Sequence, residues 1–334
     1  MKKLVAIILS IVSAFTIFAF SACSTTENPT ATPQQLSVYC PDGAPALSIA
    51  KFIADSEDFG TGAEMSYHVV AASSIGQVVQ TGTGDIVILP INAASKLYAA
   101  NASDPYKMAG VITHGNLYVM SKQDLTIEDL KGKVVGVIGQ GNVPDLTFKA
   151  VLSDANIEYA VSDAPIDGKV ALKYYADGSE LVPALKTGKI AIGLLPEPAA
   201  NKLKSLDGAF KYALDLQTLY DSSAKAYPQA AVMIKTSVLN AYPELATAFG
   251  NKIADNVAWV KTNPADAVNA IAGVLPEGVA KSFTADNLNS TVVDNCKIYW
   301  QDSASAKQSV KAYINAIIAI EQQSAKAVAD DFFA

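Results

Sequence analysis

The sequence predicts an α/β protein of two lobes, each a mostly parallel sheet flanked by helices. Three observations carry that expectation. Short apolar runs alternate with helical patterns along most of the chain. A strand–proline–helix junction recurs about a hundred residues after its first appearance. The foldable part, roughly 300 residues, is long for a single core.

The elements follow in order. Leu36–Cys40 reads as a strand, and Pro41-Asp42-Gly43-Ala44-Pro45 turns into a helix through about Ala54. Glu64–Val70 is a second strand, after which Ser73 or Ser74 can cap a helix. Gly82-Thr83-Gly84-Asp85 turns into the buried strand Ile86–Leu89, stopped by Pro90, and Asn92 can cap the helix Ala93–Ala100. Lys107–Thr113 and Asn116–Ser121 are strand-like on either side of His114-Gly115. Val134–Ile138 leads through Gly139-Gln140-Gly141-Asn142-Val143-Pro144-Asp145 into a helix. Val170–Tyr175, Ile190–Leu195 and Ala230–Ile234 continue the strand series. Beyond them Leu245, Phe249, Ile253, Val257 and Val260 make one helical face. Asn263-Pro264 ends that helix and starts another, and Val310, Tyr313, Ile314 and Ile317 mark a final one.

The recurrence is specific to junctions. Leu89-Pro90-Ile91-Asn92-Ala93-Ala94 closes a strand and opens a helix, as does Leu195-Pro196-Glu197-Pro198-Ala199-Ala200. Gly43-Ala44-Pro45 has its counterpart in Asn142-Val143-Pro144-Asp145. Strand–proline–helix junctions are common in α/β proteins, but two in matching order suggest two lobes of one topology.

The N-terminus reads as an export signal. Lys2 and Lys3 precede the uncharged apolar run Leu4–Phe20, followed by Ser21, Ala22 and Cys23. The cysteine directly after the small pair resembles a lipoprotein signal, in which a diacylglycerol is attached to the thiol and cleavage leaves it first. Phe20 stands where that pattern prefers leucine. The competing reading is an uncleaved membrane helix, for which 17 residues is the short edge. Residues 1–22 are thus a signal peptide and 23–35 a polar, proline-bearing tether, with Cys23 as the membrane anchor.

Composition narrows the function. Loss of Lys2 and Lys3 takes the net charge from −7 to −9, and no basic block remains, which argues against nucleic acid. All basic residues are lysine; arginine is absent. Cys40 and Cys296 read best as buried thiols, although pairing is not decided by sequence. No Cys/His cluster has metal spacing, so no metal and no cofactor is expected. Gly139-Gln140-Gly141 lacks the third glycine of a dinucleotide loop. No phosphate-loop or nucleophile-elbow motif occurs, so no catalytic residue is assigned and an enzyme is not expected.

In open α/β sheets, ligands bind beyond the carboxyl ends of the strands. Those ends are 41–44, 72–74, 90–92, 139–145 and 196–198. First-turn N–H groups have no intrahelical acceptor and can donate to a ligand. Gly43, Gly139 and Gly141 let the backbone approach closely. Asp42, Ser74, Asn92 and Asp145 are equally explained as helix caps, and Asn116 as a residue that tolerates a hinge conformation. Glu197, between two prolines, has little capping purpose and is expected at the cleft.

Several segments carry a family resemblance by their order. They are Pro41–Pro45, Gly84–Ala94, His114-Gly115-Asn116-Leu117-Tyr118, Leu130-Lys131-Gly132-Lys133-Val134, Leu195–Pro198, and Trp259 with Asn263-Pro264. On these the chain resembles the substrate-binding lipoproteins of bacterial ABC importers, in the branch that binds nitrate, sulfonates, taurine and thiamine-pyrimidine precursors. The resemblance implies the two-lobed periplasmic-binding-protein fold of type II with two hinge crossings. The first crossing falls near His114–Asn116 and the second between Leu216 and Pro228. Lobe 1 is then 36–114 plus 226–334, and lobe 2 is 115–225. It also implies a small-molecule ligand, closure of the lobes on it, permease and ATPase partners, and an exported, lipid-anchored, monomeric chain.

The expected ligand-binding set is Asp42, Gly43, Ala44, Ser73, Ser74, Asn92, Asn116, Tyr118, Gly141, Asn142, Asp145, Tyr175, Glu197 and Tyr227. Tyr39 and Tyr174 are further stacking candidates. Sulfonates and dianions suit arginine forks, which the chain lacks, whereas Asp42, Asp145 and Glu197 would add negative charge. A neutral or cationic heterocycle, such as a pyrimidine vitamin precursor, is therefore favoured. The alternatives are a sulfonate, nitrate or similar anion held by helix N-termini, an enzyme of the same fold acting on a pyrimidine, and an extracellular sensor or adhesion lipoprotein.

Overall fold

The computed structural model describes residues 35–334 apart from 101–102 and 221–225. The expected export signal, the expected lipid site Cys23 and the expected tether through residue 34 lie outside the described residues; Gln35, expected to end the tether, opens the first strand.

β1 (Gln35–Pro41) leads through α1 (Ala44–Leu47) and α2 (Ala50–Asp55) to β2 (Glu64–Val70). A 3-10 turn at Ala72–Ser74 runs into α3 (Ile75–Thr81), then β3 (Ile86–Pro90), α4 (Ile91–Ala100) and β4 (Tyr106–Thr113). Next come β5 (Leu117–Ser121), β6 (Val134–Ile138), α5 (Val143–Asp154), β7 (Tyr159–Val161) and β8 (Val170–Tyr175). α6 (Gly178–Lys186), β9 (Ile192–Pro196), α7 (Ala199–Leu206), β10 (Lys211–Asp215) and α8 (Leu216–Tyr220) follow. The chain continues through β11 (Ala230–Lys235), α9 (Thr236–Ala241), α10 (Leu245–Asn251), α11 (Ile253–Thr262), α12 (Pro264–Gly273) and α13 (Ser290–Asn295). It ends with β12 (Ile298–Asp302), α14 (Ser303–Ile320) and a tail packed back on the fold.

The strands form two six-stranded sheets, ordered β12-β4-β11-β3-β1-β2 and β10-β5-β9-β6-β8-β7. The run β2-β1-β3-β11-β4 of the first repeats as β8-β6-β9-β5-β10 in the second. The repeat visible at the strand–proline–helix junctions is thus a repeat of topology. Each sheet is mixed. β1, β2 and β3 are parallel, as are β6, β7, β8 and β9. β11 runs against β3 and β4, and β5 runs against β9 and β10. The reason lies in connectivity. β5 and β11 each follow a crossing from the other sheet, so they start at the end where their neighbours finish.

The crossings fall between Thr113 and Leu117 and between Asp215 and Ala230. The first is tight. Gly115 has φ +90°, and a Cβ there would lie 2.7 Å from Gln217 Cγ and 2.9 Å from Tyr227 Cε1. Gly115→Ala meets both a backbone and a packing conflict, and is expected to lower unfolding free energy by about 1–3 kcal/mol in urea titrations.

Helices follow local chemistry. The expected single helix after β1 is broken at Ser48-Ile49, where Ser48 Oγ turns back to Pro45 O at 2.6 Å. The break is filled from a distance: the buried Asn256 of α11 accepts from Lys51 N at 2.9 Å and donates to Leu47 O at 3.1 Å. The expected helix from Leu245 is likewise two helices, α10 and α11, parted at Lys252. Pro264 opens α12 at a position that needs no N–H donor.

Three apolar clusters hold the layers. One lies between the first sheet and α1, α2 and α10–α13, around Val38, Ile88, Phe249 and Ile253. A second lies under α6 and α7, around Met120, Leu181, Leu185 and Leu203. The third joins both sheets through α5 and α14, from Val87 and Leu89 through Tyr313 and Tyr227 to Val137 and Phe148. Cys40 and Cys296 are buried free thiols. Among the described residues no helix is long and apolar enough to cross a membrane.

Candidate functional site

The carboxyl ends of β1, β2 and β3 are set by one sheet and those of β6, β8 and β9 by the other, with both crossings between them. Ligands of open α/β sheets sit at such ends. One surface groove is lined by Lys133, Asp163, Lys173 and residues 188–192. It lies by the amino ends of β6 and β9, away from the carboxyl strand ends where a ligand of this architecture sits.

Glu197 closes β9 and is only 1% exposed. Its Oε1 accepts from Tyr212 OH at 2.5 Å and Asn295 Nδ2 at 2.8 Å, and its Oε2 accepts from Asn201 N at 3.0 Å. The last bond satisfies a first-turn N–H of α7, so the expectation that Glu197 has little capping purpose is corrected. Asn295 follows from the first sheet's half of the chain, whereas Tyr212 and Asn201 belong to the second. Glu197 is therefore a tie between lobes. Tyr118 OH adds a second tie to Asn295 O at 3.3 Å, with its ring edge-on to Tyr212. Burial, then the Glu197 charge, pushes the Tyr212 phenol up, which keeps it a donor.

Asn116, in the first crossing, faces the same cluster. Its backbone C=O accepts from Glu197 N at 2.9 Å, and its Nδ2 donates to Glu197 O at 3.2 Å. Its Oδ1 accepts from Gln229 Nε2 at 2.7 Å.

Asp145 is fully buried in the first turn of α5. Its Oδ2 accepts from Gly141 N and Lys149 Nζ, both at 2.8 Å, and its Oδ1 accepts from Tyr174 OH at 2.8 Å. The carboxylate shapes the Gly139–Asn142 turn instead of presenting itself to solvent. Asn142 is the exposed N-cap residue of α5 but makes no capping bond with its side chain.

On the first lobe, Asp42 Oδ1 accepts from Gly43 N at 2.8 Å and its Oδ2 from Ser282 N at 2.7 Å. Gly43, at φ +108°, opens α1, and Ala44 behind it is buried. Ser73 and Ser74 are exposed, and Ser74 precedes α3 without capping it by its side chain. Asn92 lies inside α4 instead of capping it. It is 4% exposed and donates from Nδ2 to Ser324 O at 3.2 Å, a bond supplied by the C-terminal tail.

The tyrosines divide. Tyr175 is half-buried against the α6–α7 cluster. Tyr227 is wholly buried, stacked on Tyr313 at 5.5 Å and edge-on to Tyr220, so its ring belongs to the packing of the second crossing. Tyr39 stacks on His68 at 4.5 Å. The structure thus gathers Asn116, Tyr118 and Glu197 into one network and Gly141, Asp145 and Tyr174 into another. The serines stand apart from both. Gln229, Asn295, Asn201, Tyr212 and Ser324 had no signal in the sequence, because each reaches the site from a remote segment.

His114, in the first crossing, is 2% exposed and stacks on Tyr299 at 3.5 Å. Neither ring nitrogen meets hydrogen-bond geometry, though Gln301 and the Lys297 backbone lie near. Burial pulls its pKa from 6.5 down to about 4. The folded state then binds fewer protons than the unfolded chain between about pH 4 and 6.5, so stability falls as pH drops through that window. His114→Phe should therefore gain about 2–3 kcal/mol on the wild type between pH 7.5 and 4.5, read by urea melts at both pH values.

Two mixed six-stranded sheets joined by two crossings, with the first strand after each crossing reversed, constitute the periplasmic-binding-protein fold of type II. Solved structures agree. An ABC transporter protein from Parabacteroides distasonis superposes with a TM-score of 0.73 at 20% identity, covering 90% of this chain and 99% of that one. The periplasmic aliphatic sulphonate binding protein SsuA from Escherichia coli gives 0.63 at 13% identity, covering 89% and 90%. The alkanesulfonate-binding protein SsuA from Xanthomonas axonopodis pv. citri, bound to MOPS, gives 0.57 at 14% identity, covering 89% and 96%. No protein-family model and no curated protein sequence matches the chain.

Proposed function

We propose that the protein binds a small organic solute between its lobes and delivers it to an ABC importer, working outside the cytoplasm from a lipid on Cys23. One observation carries this reading: the repeated sheets bring two sets of strand ends and helix N-termini to the two chain crossings. A site of this kind holds its ligand with backbone donors and amides, and closes on it by a hinge motion. Solved structures of the same fold, named for ABC import and sulfonate binding, support it as analogy.

The favoured solute is a neutral or cationic heterocycle such as a pyrimidine vitamin precursor. The chain has no arginine, and Lys149 beside the α5 turn is engaged by Asp145. Asp42, Asp145 and Glu197 are all satisfied by internal donors, so the missing arginines weigh more than these carboxylates. The sulfonate binders of the same fold keep an anion as the second reading. The ligand-binding residues proposed are Gly43, Ser73, Ser74, Asn92, Asn116, Tyr118, Gly141, Asn142 and Tyr175. Asp42, Asp145 and Glu197 shape the walls behind them.

Thermal-shift screening against vitamins, heterocycles, amino acids, nitrate and sulfonates tests the reading. Stabilisation by a heterocycle is expected, since a ligand at 100 times its Kd adds about 2.7 kcal/mol. Strong stabilisation by sulfonates or nitrate alone would sink the heterocycle assignment. For the anchor, Cys23→Ser should move the protein from the membrane fraction to the soluble one.

A further inference from the structure

Two amide side chains, Gln229 at the end of the second crossing and Asn92 in the first turn of α4, have a fixed polarity that bears on ligand class. Gln229 immediately precedes β11, and its backbone C=O accepts from Ile91 N at 2.9 Å. This places Gln229 beside the start of α4, where Asn92 sits one residue further on. Asn92 Oδ1 and Gln229 Oε1 are both buried, and neither has a hydrogen-bond partner among the described residues. Buried polar atoms in folded proteins are normally paired.

Which atom of each amide is left over follows from its neighbours. Glu197 C=O can only accept, so Asn116 must turn its Nδ2 toward it. Asn116 Oδ1 is then left to accept, so Gln229 must turn its Nε2 toward Asn116. The free atom of Gln229 is therefore its oxygen. In the same way Ser324 C=O can only accept, which commits Asn92 Nδ2 and leaves its Oδ1. Flipping either amide would set oxygen against oxygen. Two carbonyls, Glu197 C=O acting through Asn116 and Ser324 C=O acting directly, thus impose acceptor character on both leftover atoms.

We propose that Asn92 Oδ1 and Gln229 Oε1 form an acceptor pair that selects solutes presenting N–H or O–H donors, such as amino- or hydroxyl-bearing heterocycles. The inference rests on the solute-binding reading and deepens it. An anion would meet two oxygen lone pairs there, with no arginine in the chain to offset them. Sites built to accept a hydrogen bond discriminate strongly against analogues that lack the donor. Neither residue needs a charge for this, so the pair acts alike across neutral pH.

The test is isothermal titration with three probes. 4-Amino-2-methylpyrimidine carries two N–H donors, its 4-dimethylamino analogue keeps the ring and loses both, and ethanesulfonate is an anion without donors. The amino compound should bind, with the dimethylamino analogue at least about tenfold weaker and ethanesulfonate weaker still. Asn92→Leu and Gln229→Leu should each remove most of the difference between the two pyrimidines. The wild-type comparison stands even where a variant fails to fold. Equal affinity for the two pyrimidines, or tighter binding of ethanesulfonate, overturns the inference and leaves the solute-binding reading intact. No binding of any probe counts against both.

Discussion

Glu197→Ala is expected to lower unfolding free energy by about 3–5 kcal/mol, the largest effect of any single change at the site. Removing the carboxylate leaves Tyr212 OH, Asn295 Nδ2 and Asn201 N without their acceptor in a place where the residue is only 1% exposed. Each buried donor left unpaired costs about 1–3 kcal/mol, and the three share one cavity, so the sum is less than additive. The variant also removes a tie between lobes. Two comparisons separate the roles. Asn295→Ala removes only the cross-lobe donor and should cost less, while widening the lobe separation seen in solution scattering. Tyr212→Phe removes a donor within the second lobe and should leave the scattering unchanged.

Asp145→Ala is the second large effect, at about 3 kcal/mol. It leaves the Lys149 ammonium, 13% exposed, beside an unpaired Tyr174 hydroxyl and an unpaired Gly141 N–H. Because the ion pair is largely buried, added salt should restore little of the loss. Asp145 also pins the turn from Gly139 to Asn142, so ligand affinity should fall together with stability. Asp145→Asn keeps one acceptor but places an N–H₂ against existing donors. Its stability should lie between those of the wild type and the alanine variant, as read by urea titration.

The fold was legible where a buried run met strong punctuation. Glu64–Val70, Val134–Ile138 and Val170–Tyr175 have the bounds expected of them, each bordered by glycine, proline or charged turns. β7, β10 and β12 were not legible. They sit at sheet edges and are half-exposed, and Lys211-Tyr212-Ala213-Leu214-Asp215 alternates too weakly to announce a strand. The helix breaks at Ser48 and Lys252 were also hidden, because the first is completed by Asn256, some 200 residues away.

The local surroundings of the candidate residues were legible only in part, for a related reason. Strand ends and helix starts are local features, so the places of Gly43, Asn92, Gly141 and Glu197 at strand–helix junctions were legible. What each carboxylate does there depends on remote partners. Ser282 meets Asp42, Asn295 meets Glu197, and the tail's Ser324 sets the orientation of Asn92. Gln229 carried no pattern at all, since a lone glutamine before an apolar strand is ordinary. Its meaning comes from a hydrogen-bond chain that ends on a carbonyl across the crossing.

Native mass spectrometry of the protein purified from its own host tests the central claim most directly. One small organic molecule per chain is expected, rich in N–H or O–H donors, released on denaturation and chemically unchanged by the protein. A bound sulfonate or nitrate would contradict the ligand class, and a molecule that the protein turns over would contradict the solute-binding reading itself.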